Sequence, residues 1–238
     1  MNTELFETID STNDYLKAKS ANGSLKAKDG VIAFSQTKGR GRLGRSFESP
    51  KGGIYISFCY GKINSRGAAE HLSLMPAAAG VVSLFIKKYF GIDTYIKWPN
   101  DVFLNGKKCS GILCERTSSG DLIIGVGLNY KTSKFDPSFA DKATSLFFPS
   151  SLCPPPEEVG KNLLDALRNV QPFASDSFMF EYYNKVLLYK GENITLKTIY
   201  NNELVSGICL GININGELML KTSDSSINCF SIGELTAH

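Results

Sequence analysis

The sequence predicts a mixed α+β domain followed by a small all-β unit, and three observations carry that reading. From His71 to Phe90, apolar residues recur at helical spacing: Leu74, Ala77, Ala78, Val81, Val82, Phe85, Ile86 and Tyr89. Residues 94–130 read instead as strand-like runs separated by turn signals. Beyond Gly191 no helical period remains, only short alternating runs broken by Asn201-Asn202, Asn215-Gly216 and a Ser-Asp-Ser-Ser cluster. The 238 residues, 42% of them apolar, are enough for a real core and for a main domain with a smaller one attached.

Taken in order, "STNDYLKAKSA" opens with hydroxyl side chains suited to a helix N-cap. "GVIAFSQ" (30–36) and "GIYISFCY" (53–60) read as strands, so the basic, glycine-rich segment between them joins two sheet elements. Pro76 falls in the first turn of the 71–90 helix, where its missing N–H costs nothing. "TYIKW", "DVFLNGKKCSGILCE" and "LIIGVGLNY" follow as strands. Asn105-Gly106 lies between two apolar runs, a strong signal for a type I′ hairpin. Proline followed by paired glutamates starts a helix near residue 156, and Phe178, Phe180, Tyr182, Tyr183, Val186 and Leu187 mark another over about 176–188. The expected division is therefore 1–188 and 189–238, the latter a small antiparallel barrel docked on the former.

Bulk charge excludes little: 26 basic against 23 acidic residues leave +3, so any basic site must be local. The six cysteines form no C-x-x-C pair and the only histidines are His71 and His238, so zinc-ligand spacing is absent and free thiols are expected. The first residues lack a signal-peptide pattern, and no apolar run is long and clean enough to span a bilayer. A cytoplasmic protein is expected.

Four short segments could carry chemistry. In "GRGRLGR" (39–45), the glycines allow backbone N–H groups to approach an anion, and Arg40, Arg42 and Arg45 offer forked donors. The segment is neither a Walker A loop nor G-x-G-x-x-G. "KWPND" (97–101) turns at a proline and leaves Asn100 and Asp101 at its tip, suited to a metal, a ribose or an amine. In "GKKCSGILCE", strand alternation sends one of Lys107 and Lys108 inward, where an ammonium needs an anion. "GVGLN" (125–129) is an apolar strand whose glycines suggest close approach of a ligand or another backbone. Read singly, each remains open between a solvated loop or tight turn, an RNA-contacting patch and a nucleotide site.

In combination they do not. S-T-N, G-R-G-R-x-G-R, K-W-P-N-D, K-x-x-G-I-L-x-E and G-x-G-x-N occur in this order, and together they resemble the catalytic domain of biotin protein ligases, the biotin–[acetyl-CoA-carboxylase] synthetases. The resemblance covers about residues 5–188. It implies a fold like that of class II aminoacyl-tRNA synthetases, with an SH3-like barrel after it. It also implies a two-step reaction, in which biotin and MgATP give biotinyl-5′-AMP and a lysine of a biotin carboxyl carrier domain then takes the biotin.

Residue by residue, the resemblance assigns Ser11, Thr12, Asn13, Gln36 and Gly111 to the biotin pocket, with Arg40, Gly41 and Arg42 folding over biotin and the adenylate phosphate. Arg45 is implied at the ATP triphosphate, and Phe47 at the place of an aromatic that stacks on adenine. Asn100 and Asp101 are implied in metal, phosphate and incoming-lysine handling. Lys108, rather than Lys107, bridges biotin carboxylate and phosphate, and Asn129 lies on the nucleotide side. Magnesium is expected through the ATP phosphates, with no protein ligands assigned. Many relatives carry an N-terminal helix-turn-helix; S-T-N begins here at residue 11, so no DNA binding is expected. No membrane partner is expected either, and self-association is expected to stop at a monomer or weak homodimer. The ending "SIGELTAH" keeps Gly233-Glu234 but lacks the basic finish of relatives. Lipoate or octanoate transfer is the alternative within this fold, and the uncharged Ser/Thr/Asn/Gln set argues against it because it suits a ureido ring.

Overall fold

A computed structural model describes residues 1–63, 72–147 and 152–236. The larger unit is built on a seven-stranded sheet: β1 (Thr3–Phe6), β2 (Gly30–Ala33), β3 (Ile54–Lys62), β4 (Tyr95–Lys97), β5 (Asp101–Leu104), β6 (Lys107–Arg116) and β7 (Asp121–Leu128). Their spatial order is β1-β2-β3-β7-β6-β5-β4, with β1 parallel to β2 and every other pair antiparallel. Helix α1 (Thr12–Ala21) packs on β2, β3 and β7. Helices α2 (Leu74–Phe90), α3 (Pro156–Leu167) and α4 (Ser177–Val186) pack together, with α2 on β6 and α3 on β3.

Alternation decides which side each residue serves. Val31 joins Leu16 and Ile123 in a small apolar cluster under α1, whereas Ile32 joins Ile54, Ile56, Ile124, Val126 and the other helices in the main core. Strand β2 is buried on both faces, which is why it reads as a continuous apolar run.

Several boundaries differ from the expectations. The 30–36 strand stops at Ala33, and Gln36 makes only an isolated bridge to Ile9. Helix α2 starts at Leu74 and ends on Gly91, whose φ of 70° is a left-handed C-cap. His71, where the spacing places the start of that helix, and His238 lie outside the described residues. Helix α4 is shorter than 176–188 because Asp176 caps its start and Leu187 is already extended. Asn105 and Gly106 have φ of 50° and 75°, as a type I′ turn requires.

The C-terminal strands β8 (Asn193–Lys197), β9 (Leu204–Ile212), β10 (Leu218–Lys221), β11 (Ile227–Phe230) and β12 (Glu234–Thr236) form a second, antiparallel sheet in the order β11-β10-β9-β8-β12. The β9–β10 turn seats Gly216 against Ser73 and Pro76 at the start of α2. All six cysteines are free. Among the described residues, no helix is long and apolar enough to cross a membrane.

Candidate functional site

The site begins as missing side chains. Gly111 on β6 pairs with Gly127 on β7, and Gly125 pairs with Ser57 on β3 and Leu113 on β6. These glycines point toward the α1 side of the sheet and leave a hollow there. Asn13 enters over Gly125, and the Phe47 ring lies over Gly111 and Gly127, so that a Cβ at Gly125 or Gly127 would collide with them. What remains is a cavity of about 60 Å³, lined by Ser11, Thr12, Asn13, Gln36, Arg40, Gly41, Arg42, Asn100, Lys108 and the glycine floor.

Helix α1 delivers the first polar wall. Ser11 is its N-cap, accepting from the Asp14 N–H at 3.3 Å. The Thr12 backbone N–H and hydroxyl donate to Gln36 Oε1 at 2.8 and 3.1 Å, and Gln36 Nε2 donates to Ser49 Oγ at 2.9 Å. The 39–47 loop folds back on itself as a short hairpin, with Phe47 N–H on Gly39 O and Gly41 N–H on Arg45 O. Leu43 and Gly44 turn it through φ of 57° and 74°.

Each cation the sequence singled out has an internal partner. Arg40 donates from Nε and Nη2 to Asp14 Oδ2 at 2.9 and 2.6 Å. Arg45 pairs with Glu234 of β12. Lys108 Nζ lies 2.7 Å from Asp101 Oδ1, an approach too oblique to satisfy that oxygen with a hydrogen bond, and 5.4 Å from the centre of the Phe47 ring. Arg42 donates from Nη1 to Asn100 Oδ1 at 2.9 Å, while its Nη2 is buried without a partner. Burial pushes this guanidinium down from its ordinary value, outweighing the opposing pull of the Asp101 and Glu234 carboxylates, neither of which it hydrogen-bonds. Asn100 is fixed in turn by donating from Nδ2 to Ile112 O at 2.9 Å.

A second cleft of about 540 Å³ adjoins the first. Arg45, Asp101, Asn129, Lys97, Trp98, Gly233 and Glu234 of β12 line it. Gly41, Arg42, Phe47, Asn100 and Lys108 line both. Lys107 lines neither and donates to Ala140 O. Asn129 donates from Nδ2 to Thr144 O at 3.1 Å and leaves Oδ1 buried without a partner. Among the described residues no group of three or more His, Cys, Asp or Glu side chains converges.

Two features escaped the sequence reading. Segment 135–143 walls the large cleft, strapped to β6 through Lys108 N–H on Lys142 O, and Ser57 and Glu115 stand behind Asn13. Glu115 closes the K-x-x-G-I-L-x-E motif, which gave it no role, and Ser57 was legible only as an inward position of β3 once the register was known.

Comparison with known proteins agrees with this geometry. The sequence pattern described as "Biotin/lipoate A/B protein ligase family" matches residues 5–129. The bifunctional ligase/repressor BirA of Escherichia coli is 31% identical over 235 residues, which span 96% of this chain and 71% of that protein. The biotin–[acetyl-CoA-carboxylase] ligase of Paracoccus denitrificans is 37% identical over 103 residues, 42% of this chain and 43% of that one. The solved biotin protein ligase of Aquifex aeolicus in complex with biotin and ATP superposes with a TM-score of 0.78 at 28% identity, covering 99% of this chain and 97% of that one.

Proposed function

This chain belongs to the biotin/lipoate A/B protein ligase family, and from that premise we propose that it activates biotin with ATP and transfers it to a lysine of a biotin carboxyl carrier domain. One observation carries the reading: Arg42 and Lys108 line both the small polar cavity and the large cleft. A carboxylate held in the first and a triphosphate held in the second would meet at those two cations.

In the first step a biotin carboxylate oxygen attacks the α-phosphorus, the bond to pyrophosphate breaks, and biotinyl-5′-AMP forms. Arg42 and Lys108 stabilise the charge that crowds the reacting phosphate, and they do so most in the transition state. In the second step the carrier amine attacks the biotinyl carbonyl and AMP leaves. Thr12, Asn13 and Gln36 supply uncharged donors and acceptors for a ureido ring, with Ser11, Arg40, Gly41 and Gly111 completing that pocket. Arg45, Asn100, Asp101 and Asn129 serve the nucleotide, whose phosphates would carry magnesium into the cleft. Phe47 carries an aromatic face to the boundary between the two ligands.

We read residues 1–188 as the catalytic domain and 189–238 as an SH3-like barrel whose β12 edge supplies part of the nucleotide cleft. Free cysteines are in keeping with a cytoplasmic enzyme. The test is direct: the purified chain with biotin and MgATP should release pyrophosphate and label a biotin carrier domain. Transfer of lipoate but not biotin would assign the chain to the other branch of the family.

A further inference from the structure

We infer that Glu115 is a positioning residue that fixes which end of the Asn13 amide faces the small cavity, and so selects for a ligand bringing N–H donors. The inference rests on the biotin reading above. Glu115 is on β6, behind α1, and ion-pairs with Lys17.

The protons available to this wall fix the orientation of the amide. Asn13 Nδ2 donates to Glu115 Oε2 at 2.7 Å. A carboxylate only accepts, so the amide NH₂ must face Glu115 and the carbonyl Oδ1 must point the other way, over Gly125. There it accepts from Ser57 Oγ at 2.5 Å. Ser57 Oγ also donates to Thr12 Oγ1 at 2.7 Å, yet a serine hydroxyl carries a single proton. Thr12 spends its own hydroxyl proton, and its backbone N–H, on Gln36 Oε1. Two oxygens on the cavity wall thus share one proton, and the wall is one donor short. Ser57 is fully buried and Asn13 nearly so, so water is poorly placed to make up the deficit.

A ring N–H of a ureido ligand supplies the missing donor; a dithiolane ring has none to give. Without the Glu115 carboxylate, the Asn13 amide is free to turn its NH₂ toward Ser57 and Thr12. The wall would then satisfy itself, and the advantage of an N–H ligand would be lost. Lys17 keeps Glu115 in place from the solvent side.

Glu115→Gln tests this with little change of shape, because glutamine can present either an oxygen or an NH₂. Biotin Kd, measured by calorimetry, should rise about tenfold while ATP KM stays within about twofold. In an Asn13→Ala background the same substitution should cost nothing further. The exchange Asn13→Asp with Glu115→Gln should recover most of the affinity, since the new amide on β6 then donates and the new carboxylate on α1 keeps an oxygen inward. Should E115Q fail to fold, Lys17→Met should give a smaller loss confined in the same way to biotin. Equal losses for biotin and ATP, or the same E115Q penalty with and without Asn13, would overturn the inference. A wild-type chain that binds no biotin would overturn the biotin reading as well, whereas unaltered biotin binding by a folded E115Q overturns only this one.

Discussion

Arg42 separates stability from function, and Arg42→Met is the substitution that exposes the split. Its Nη1 makes one hydrogen bond, to Asn100 Oδ1, and its Nη2 is buried with no partner. Losing the bond and leaving Asn100 Oδ1 unpaired costs about 1–3 kcal/mol, and removing the orphaned donor with its desolvated charge returns a comparable amount. The unliganded protein should therefore melt at a nearly unchanged temperature. Adenylate retention behaves oppositely, because Arg42 lines both cavities and a phosphate would take up its unpaired nitrogen. Loss of a charge-assisted contact of about 1.5–3 kcal/mol should speed release of preformed biotinyl-5′-AMP by about ten- to a hundredfold. A chase experiment on the isolated enzyme–adenylate complex, run beside a thermal melt, reads both quantities. Unchanged release would refute the assignment of Arg42 to the phosphate. Faster release with a large fall in melting temperature would show that the side chain only holds the loop.

Lys108→Ala should reduce adenylation far more than Lys107→Ala, because only Lys108 faces the cavities; pyrophosphate release measures both, and equal effects would count against the facing. Glu234→Gln frees Arg45 for an anion, and since the pair is largely exposed, ATP KM should fall by no more than about fivefold at low salt and not at all at high salt. Iodoacetamide at pH 8 should label exposed Cys229 and spare Cys59 and Cys109, whose burial pushes their thiols up to about 11 and about 12 and so keeps the nucleophilic thiolate scarce; mass spectrometry of the labelled peptides decides.

Local chemistry made much of this legible in the sequence. Ser11 as an N-cap, Gly91 as a helix stop and Asn105-Gly106 as a hairpin turn are each fixed by residues within a few positions. Inward facing of Lys108 follows from strand period together with the family resemblance, and the glycines of "GVGLN" announce close approach. What approaches them was hidden: Asn13 and Phe47 fill the hollows over Gly125 and Gly127 from far along the chain. The resemblance assigns Phe47 to adenine stacking, but the sequence did not show that its ring also covers the glycine floor and lines both cavities. Strand β1, only four residues long, pairs through its backbone and carries no periodic signal. The Arg45–Glu234 pair joins residues whose proximity depends on how the C-terminal sheet docks, and composition cannot reveal docking.

That docking ties the candidate site to the second sheet. The 97–101 turn is held from three directions: Trp98 Nε1 donates to Gly216 O of the C-terminal sheet at 2.9 Å, Tyr183 of α4 donates to Pro99 O at 3.3 Å, and Asn100 exchanges bonds with Ile112 on β6. Asn100 is the residue that receives Arg42. The glycine-rich loop, by contrast, is largely exposed and tied mainly to itself and to single carboxylates. One partner is thus held from several sides and the other adaptable, and they meet where the proposed reaction would develop charge. Electrostatic stabilisation requires donors that need not reorganise at the moment of reaction, so the rigid side must set the geometry. A loop of glycines cannot do that alone; the turn can, because a neighbouring sheet, a helix and a strand all grip it.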